Sequence, residues 1–115
     1  MTIPTVDRPT LLDLMECHRA WVIHADGPRS FQQAHLPGAI RFDTLGHAIA
    51  VLRPDDRIIV YGRDDRSPNA PRWVSELLRN GYQRAWWYEE GIAGWQAAGG
   101  QLEGSDGGAD PHVTS

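Results

Sequence analysis

The apolar residues of this chain fall into two kinds of run, short continuous ones and longer ones with helical spacing. Ala20-Trp21-Val22-Ile23, Arg57-Ile58-Ile59-Val60-Tyr61 and Arg84-Ala85-Trp86-Trp87-Tyr88 are of the first kind. Such runs, rich in β-branched and aromatic side chains, predict strands buried on both faces. His35-Leu36-Pro37-Gly38-Ala39-Ile40 breaks at Pro37-Gly38 and starts a further brief strand. Between these lie five helical segments. Leu11, Leu12, Leu14 and Met15 make an apolar face that Thr10 or Asp7 could cap, and a short polar helix follows through Ser30 to Ala34. Leu45 to Leu52 stops near Arg53-Pro54. Pro68 to Asn80 carries Trp73, Val74, Leu77 and Leu78 on one face, with Gly81 as its C′ residue. Ile92 to Ala98 ends at Gly99-Gly100.

Strands alternating with helices predict one α/β domain, residues 1–104, around a mainly parallel sheet of about five strands with helices on both faces. The small, polar, Gly-rich stretch 105–115 is expected to be a disordered tail. A length of 115 residues suits one core and is too short for two.

Composition removes several classes of function. Eleven basic against 15 acidic side chains give a net charge of −4, without the basic stripe a nucleic-acid binder needs. No apolar run approaches the roughly 18–20 residues that span a bilayer, and the opening residues lack a signal-like apolar core. A cytoplasmic protein without membrane contact is expected. Cys17 is the single cysteine, which excludes an intrachain disulfide and every multi-cysteine metal site. His18, His24, His35, His47 and His112 show neither HxxxH nor HExxH spacing, so no metal and no cofactor is expected.

In parallel α/β sheets, ligands sit where strand C-termini meet helix N-termini. That rule selects the loop Gly62-Arg63-Asp64-Asp65-Arg66-Ser67, with Ser67 as N-cap and Pro68 at N1 of the helix that follows. Backbone N–H groups converging at a helix N-terminus favour an anion or a thiolate. Arg63 and Arg66 would strengthen that preference, whereas Asp64 and Asp65 would oppose it if they turned inward. A plain capped connection between strand and helix is the competing reading, and the loop residues alone leave both open.

Two motifs carry a family resemblance. Ile58–Tyr61, the six-residue loop, a helix, Gly81-Tyr82, and Trp87-Tyr88-Glu89-Glu90-Gly91-Ile92 with Trp95 resemble the second half of a rhodanese-like domain. His35-Leu36-Pro37-Gly38-Ala39-Ile40 is similar to that family's Gly-His-Ile-Pro-Gly-Ala-Ile motif, so the likeness covers about residues 5–103. The resemblance implies a sulfurtransferase scaffold, in which a cysteine heading the loop carries sulfur as a persulfide. Loop amides stabilise its thiolate. Here Gly62 stands at that position. His24 and Asp26 stand where the family has an Asp-x-Arg pair, and Glu90 replaces the first glycine of Gly-Gly-Ile.

The scaffold residues are retained and the chemical ones are absent. The expectation is a catalytically inactive family member that binds a protein partner or a small anion through Gly62–Ser67, with His24, Asp26 and His35 as accessory residues. The alternative is sulfur transfer through Cys17 or a partner's cysteine. Cys17 follows Glu16 at a helix end, poor surroundings for a thiolate. Phosphatases on related folds use a longer, Cys-headed loop ending in Arg, which this chain lacks. Any of the five tryptophans left exposed near the loop would add to a binding patch.

Overall fold

The continuous apolar runs form strands β1 (Trp21–His24), β2 (Ile58–Tyr61) and β3 (Ala85–Tyr88). The computed structural model describes residues 3–17 and 19–104. The strands pair in parallel in the order β1-β2-β3, in register from Trp21, Ile58 and Ala85 to His24, Tyr61 and Tyr88. All four residues of β2 are buried, as a central strand covered on both faces requires.

The sheet has three strands among the described residues, not the five expected. Thr5 and Ile40 lie at its outer edges, each joined by a single parallel bridge, to Trp87 and Ile23 respectively. Neither segment extends further. Pro4 has no N–H to continue a ladder, and its carbonyl accepts from the Trp87 N–H at 2.9 Å. The turn at Pro37-Gly38, where Gly38 has φ +77°, leaves Ile40 alone beside β1.

Five helices cover the sheet: α1 (Arg8–Glu16), α2 (Pro28–Gln33), α3 (Leu45–Val51), α4 (Asn69–Arg79) and α5 (Gly91–Ala97). Side chains on alternate strand positions face opposite layers. Ile23, Ile58, Val60 and Ala85 pack with Ala48 and Leu52 and with Ala70, Val74 and Leu77 of α4. On the other face, Val22, Ile59, Tyr61 and Tyr88 pack with Leu11 of α1 and with Ile92 and Trp95 of α5. The adjacent Trp86 and Trp87 divide between the two layers as their alternation predicts. Trp21 is the exception among the tryptophans, 38% exposed at the start of β1.

Local capping fixes several helix ends. The Asp7 carboxylate accepts from the Thr10 N–H at 3.0 Å, and Thr44 Oγ1 accepts from the His47 N–H at 3.1 Å. Gly81 adopts φ +89° after α4, which lets the Tyr82 N–H return to the Leu77 carbonyl at 3.1 Å. The tail expected over 105–115, together with His18 and His112, lies outside the described residues. Among the described residues no helix is long and apolar enough to cross a membrane.

Candidate functional site

Strand β2 ends at Tyr61, and residues 62–68 lead into α4. The loop is held from two sides. From one, the Ile92 N–H donates to the Gly62 carbonyl at 3.1 Å and the Ala93 N–H to the Arg63 carbonyl at 2.9 Å, so the first turn of α5 clamps the loop backbone. This approach requires Gly91 to lack a side chain. A Cβ there would lie 2.5 Å from the Gly62 oxygen, and its φ of +63° favours glycine in any case.

From the other side the loop is held by Asp26, just beyond β1. Asp26 Oδ2 accepts from the Arg63 N–H at 2.9 Å, while Oδ1 accepts from Ser67 Oγ at 2.8 Å and Asn69 Nδ2 at 2.9 Å. Burial pushes this carboxyl upward in pKa, but the hydrogen bonds from Asn69, Ser67 and Arg63 outweigh it and hold Asp26 below the usual carboxylate range. One loop N–H, the Ser67 hydroxyl and the Asn69 side-chain amide thus converge on a carboxylate of the chain itself.

Ser67 is therefore not the N-cap expected of it. Pro68 occupies the cap position without a side-chain hydrogen bond, and α4 begins at Asn69. The Ser67 hydroxyl instead donates to the Asp26 carboxylate, 41 residues earlier in the chain. Asp64 Oδ1 turns back to accept from the Arg66 N–H at 2.9 Å, and Asp65 is exposed, as are Arg63 and Arg66.

Gly62 is buried, and its missing side chain matters. A Cβ at this position would lie 2.7 Å from Ser67 Oγ, 2.9 Å from Ser67 Cβ and 3.4 Å from Asp26 Oδ2. The serine and the aspartate occupy the room a side chain would need.

His24 is buried and bonded to Tyr61 and Ser30 rather than to the loop. The Leu36 N–H donates to the Tyr61 hydroxyl at 3.0 Å, which leaves the Tyr61 proton for His24 Nδ1, 2.9 Å away. His24 Nε2 then keeps its hydrogen and faces Ser30 Oγ at 3.2 Å. The ring sits edge-on to both Phe31 and Tyr61. Burial lowers its pKa to about 4 against the opposing attraction of Asp26, so the ring is neutral. The same burial raises the Tyr61 hydroxyl above its ordinary range.

His35 lies apart from the loop. It stacks on Phe31, its Nδ1 bonds the Phe31 carbonyl at 2.7 Å, and its backbone exchanges two 2.9 Å hydrogen bonds with Glu103. The structure thus joins Asp26 to the loop, His24 to Tyr61 and Ser30, and His35 to Phe31 and the backbone of Glu103. Sequence reasoning missed Asn69, Tyr61 and Gly91 as parts of this arrangement. Among the described residues no group of three or more His, Cys, Asp or Glu could hold a metal ion.

Strand, loop, helix and clamp in this order prompt comparison with known proteins. The model of the rhodanese-like domain family matches residues 7–98. The chain belongs to that family. Its fold is shared with the rhodanese-like domain of an Anabaena sp. protein, at TM-score 0.81 and 23% identity over 96% of this chain and 86% of that one. A Bacillus halodurans protein superposes at TM-score 0.79 with 18% identity, covering 90% of this chain and 78% of the other. A thiosulfate sulfurtransferase from Pseudomonas aeruginosa superposes at TM-score 0.76 with 23% identity, but 89% of this chain corresponds to only 20% of that enzyme. No curated protein matches the chain.

Within this rhodanese-like domain the single cysteine is remote from the loop. Cys17 is exposed at the C-cap of α1, before the start of β1. The loop leaves the opposite, C-terminal end of β2. A four-residue parallel strand separates those two ends by about 10 Å.

Proposed function

We propose that this rhodanese-like domain is a binding module that does not carry sulfur at its loop, and that the Gly62–Ser67 mouth engages a protein partner or a small anion. The observation that supports this reading is the occupation of the nucleophile's place. A Cβ on Gly62 would fall 2.7 Å from Ser67 Oγ, and the Asp26 carboxylate lies beside it. Persulfide chemistry requires a polarizable thiolate there, and a neighbouring carboxylate disfavours one. The acids Asp26, Asp64 and Asp65 outnumber Arg63 and Arg66 around the mouth, which favours a protein segment over a free anion. The test is a thiosulfate:cyanide sulfurtransferase assay on the purified chain. Turnover at the level of the uncatalysed reaction is expected; turnover that a loop substitution such as Ser67→Ala abolishes would overturn the reading.

The competing reading places the persulfide on Cys17, whose exposure favours it. After incubation with thiosulfate, intact-mass spectrometry would then show a gain of about 32 Da that Cys17→Ser removes. Its position at the far end of the sheet counts against this reading.

A further inference from the structure

At the end of the sheet opposite the loop, Arg19, Ala20, Trp21, Asp56 and Arg57 line a surface hollow of about 300 Å³. Trp21 is the exposed member of β1, whose other three residues are buried. Its indole N–H donates to Asp56 Oδ2 at 3.1 Å, and the same oxygen accepts the Arg53 N–H at 2.9 Å. The Asp56 carboxylate is thus engaged, while among the described residues neither the Arg19 nor the Arg57 guanidinium has an ion-pair or hydrogen-bond partner. With Asp56 held by neutral N–H donors, the two unengaged guanidiniums outweigh its charge, and the hollow is a net positive, aromatic patch on a chain whose net charge is −4. Trp and Arg are the residue types that anchor interfaces, and an arginine fork matches a carboxylate with two hydrogen bonds. Ala20 also borders a second hollow of about 300 Å³, lined by Met15, Val22, Pro37 and Gly38.

We propose that this end of the sheet binds an extended acidic segment of another protein, with a carboxylate between Arg19 and Arg57 and an adjoining apolar side chain in the hollow beside Met15 and Val22. The charge selects an acidic ligand. The second hollow, which shares Ala20 with the first, selects a peptide over a lone oxyanion, because neighbouring side chains of an extended chain can enter two adjoining hollows. This surface is independent of the Gly62–Ser67 mouth.

The test is a titration of the isotope-labelled full chain with the blocked peptide Glu-Glu-Leu-Glu, followed by NMR. The Trp21 indole N–H signal, identified as the one lost in Trp21→Phe, should shift and saturate. Arg19→Gln combined with Arg57→Gln should weaken binding by at least roughly tenfold, and so should replacing the peptide's glutamates by glutamine. The glutamine peptide tests the charge on the unaltered protein. No shift at millimolar peptide, equal affinity for the glutamine peptide, or an equal shift with inorganic phosphate alone would each overturn the proposal.

Discussion

Ser67 Oγ donates to Asp26 Oδ1 at 2.8 Å, across 41 residues of sequence, and this bond decides the character of the loop. The same carboxylate also accepts from the Arg63 N–H and the Asn69 side-chain amide, so it ties both ends of the loop to the end of β1. Asp26→Ala would leave the Ser67 hydroxyl, the Asn69 amide and the Arg63 N–H without their acceptor. Stranded donors of this kind cost roughly 1–3 kcal/mol apiece when buried, less when water reaches them. The expected loss is about 2–4 kcal/mol by urea unfolding, with a Tm lower by roughly 10 °C. Asp26→Asn should lose about half as much. A variant Asp26→Ala as stable as the parent would show that the carboxylate does not organise the loop.

Neutral, buried His24 makes stability depend on pH. Below about 6.5 the unfolded ring takes up a proton that the folded ring refuses until about 4, so falling pH favours the unfolded chain. Through that window stability should fall by about 1.4 kcal/mol per pH unit, up to about 3 kcal/mol in all, and the contribution is fully present above pH 6.5. Asp26, depressed in the folded state, adds a further loss only below its unfolded value of 3.8. Urea unfolding from pH 4 to 8 reads the slope, and the His24 ring signals report its titration directly. A ring that titrates near 6.5 in the folded protein would contradict the buried hydrogen-bonded arrangement.

The parts of the fold that rest on neighbouring residues were legible from sequence. The apolar runs at β2 and β3 located the central and outer strands, Asp7 stood where α1 needs a cap, and Gly81 where α4 needs a left-handed residue. The site was legible by place and not by bonding. A β-strand C-terminus followed by a helix pointed to residues 62–67, but the acceptor that claims Ser67 lies beyond β1, and no local pattern shows it. Tyr61 reads as the last apolar residue of a strand, yet its hydroxyl joins His24 to the Leu36 N–H. The strands were overcounted in part because the single bridge at Ile40 has the same local sequence signature as a short strand.

Gly91 and Gly81 both have positive φ, but they differ in surroundings. A Cβ on Gly91 would meet the Gly62 oxygen at 2.5 Å and the Asp64 nitrogen at 2.9 Å, whereas Gly81 has nothing within 4 Å. Gly81→Ala should therefore cost about 1–2 kcal/mol, the backbone strain alone. Gly91→Ala adds a backbone collision at the loop, and a loss of about 3 kcal/mol or more is expected. Amide exchange should quicken at Ile92 and Ala93, whose N–H groups hold the loop carbonyls. Equal costs at the two glycines would mean that the α5 clamp does not constrain the loop.

Gly62→Cys places a thiol at the head of the loop, and the surroundings decide whether it can ionise. Its Cβ would press on Ser67 Oγ at 2.7 Å and Ser67 Cβ at 2.9 Å, so the single substitution should destabilise the chain by about 1–3 kcal/mol. Ser67→Gly, added to it, removes both atoms and should recover part of that loss. The Asp26 carboxylate, 3.4 Å from the new Cβ, repels a thiolate; the thiol should then titrate above its free value of about 8.5. Asp26→Asn in the same background should lower it, because the loop amides remain and the negative charge is gone. The pH dependence of iodoacetamide alkylation, measured with Cys17→Ser so that a single thiol reacts, separates these outcomes. A thiol titrating well below 8.5 with Asp26 intact would mean that the amides and the α4 N-terminus outweigh the carboxylate, and that the loop keeps the electrostatics of a working sulfur carrier.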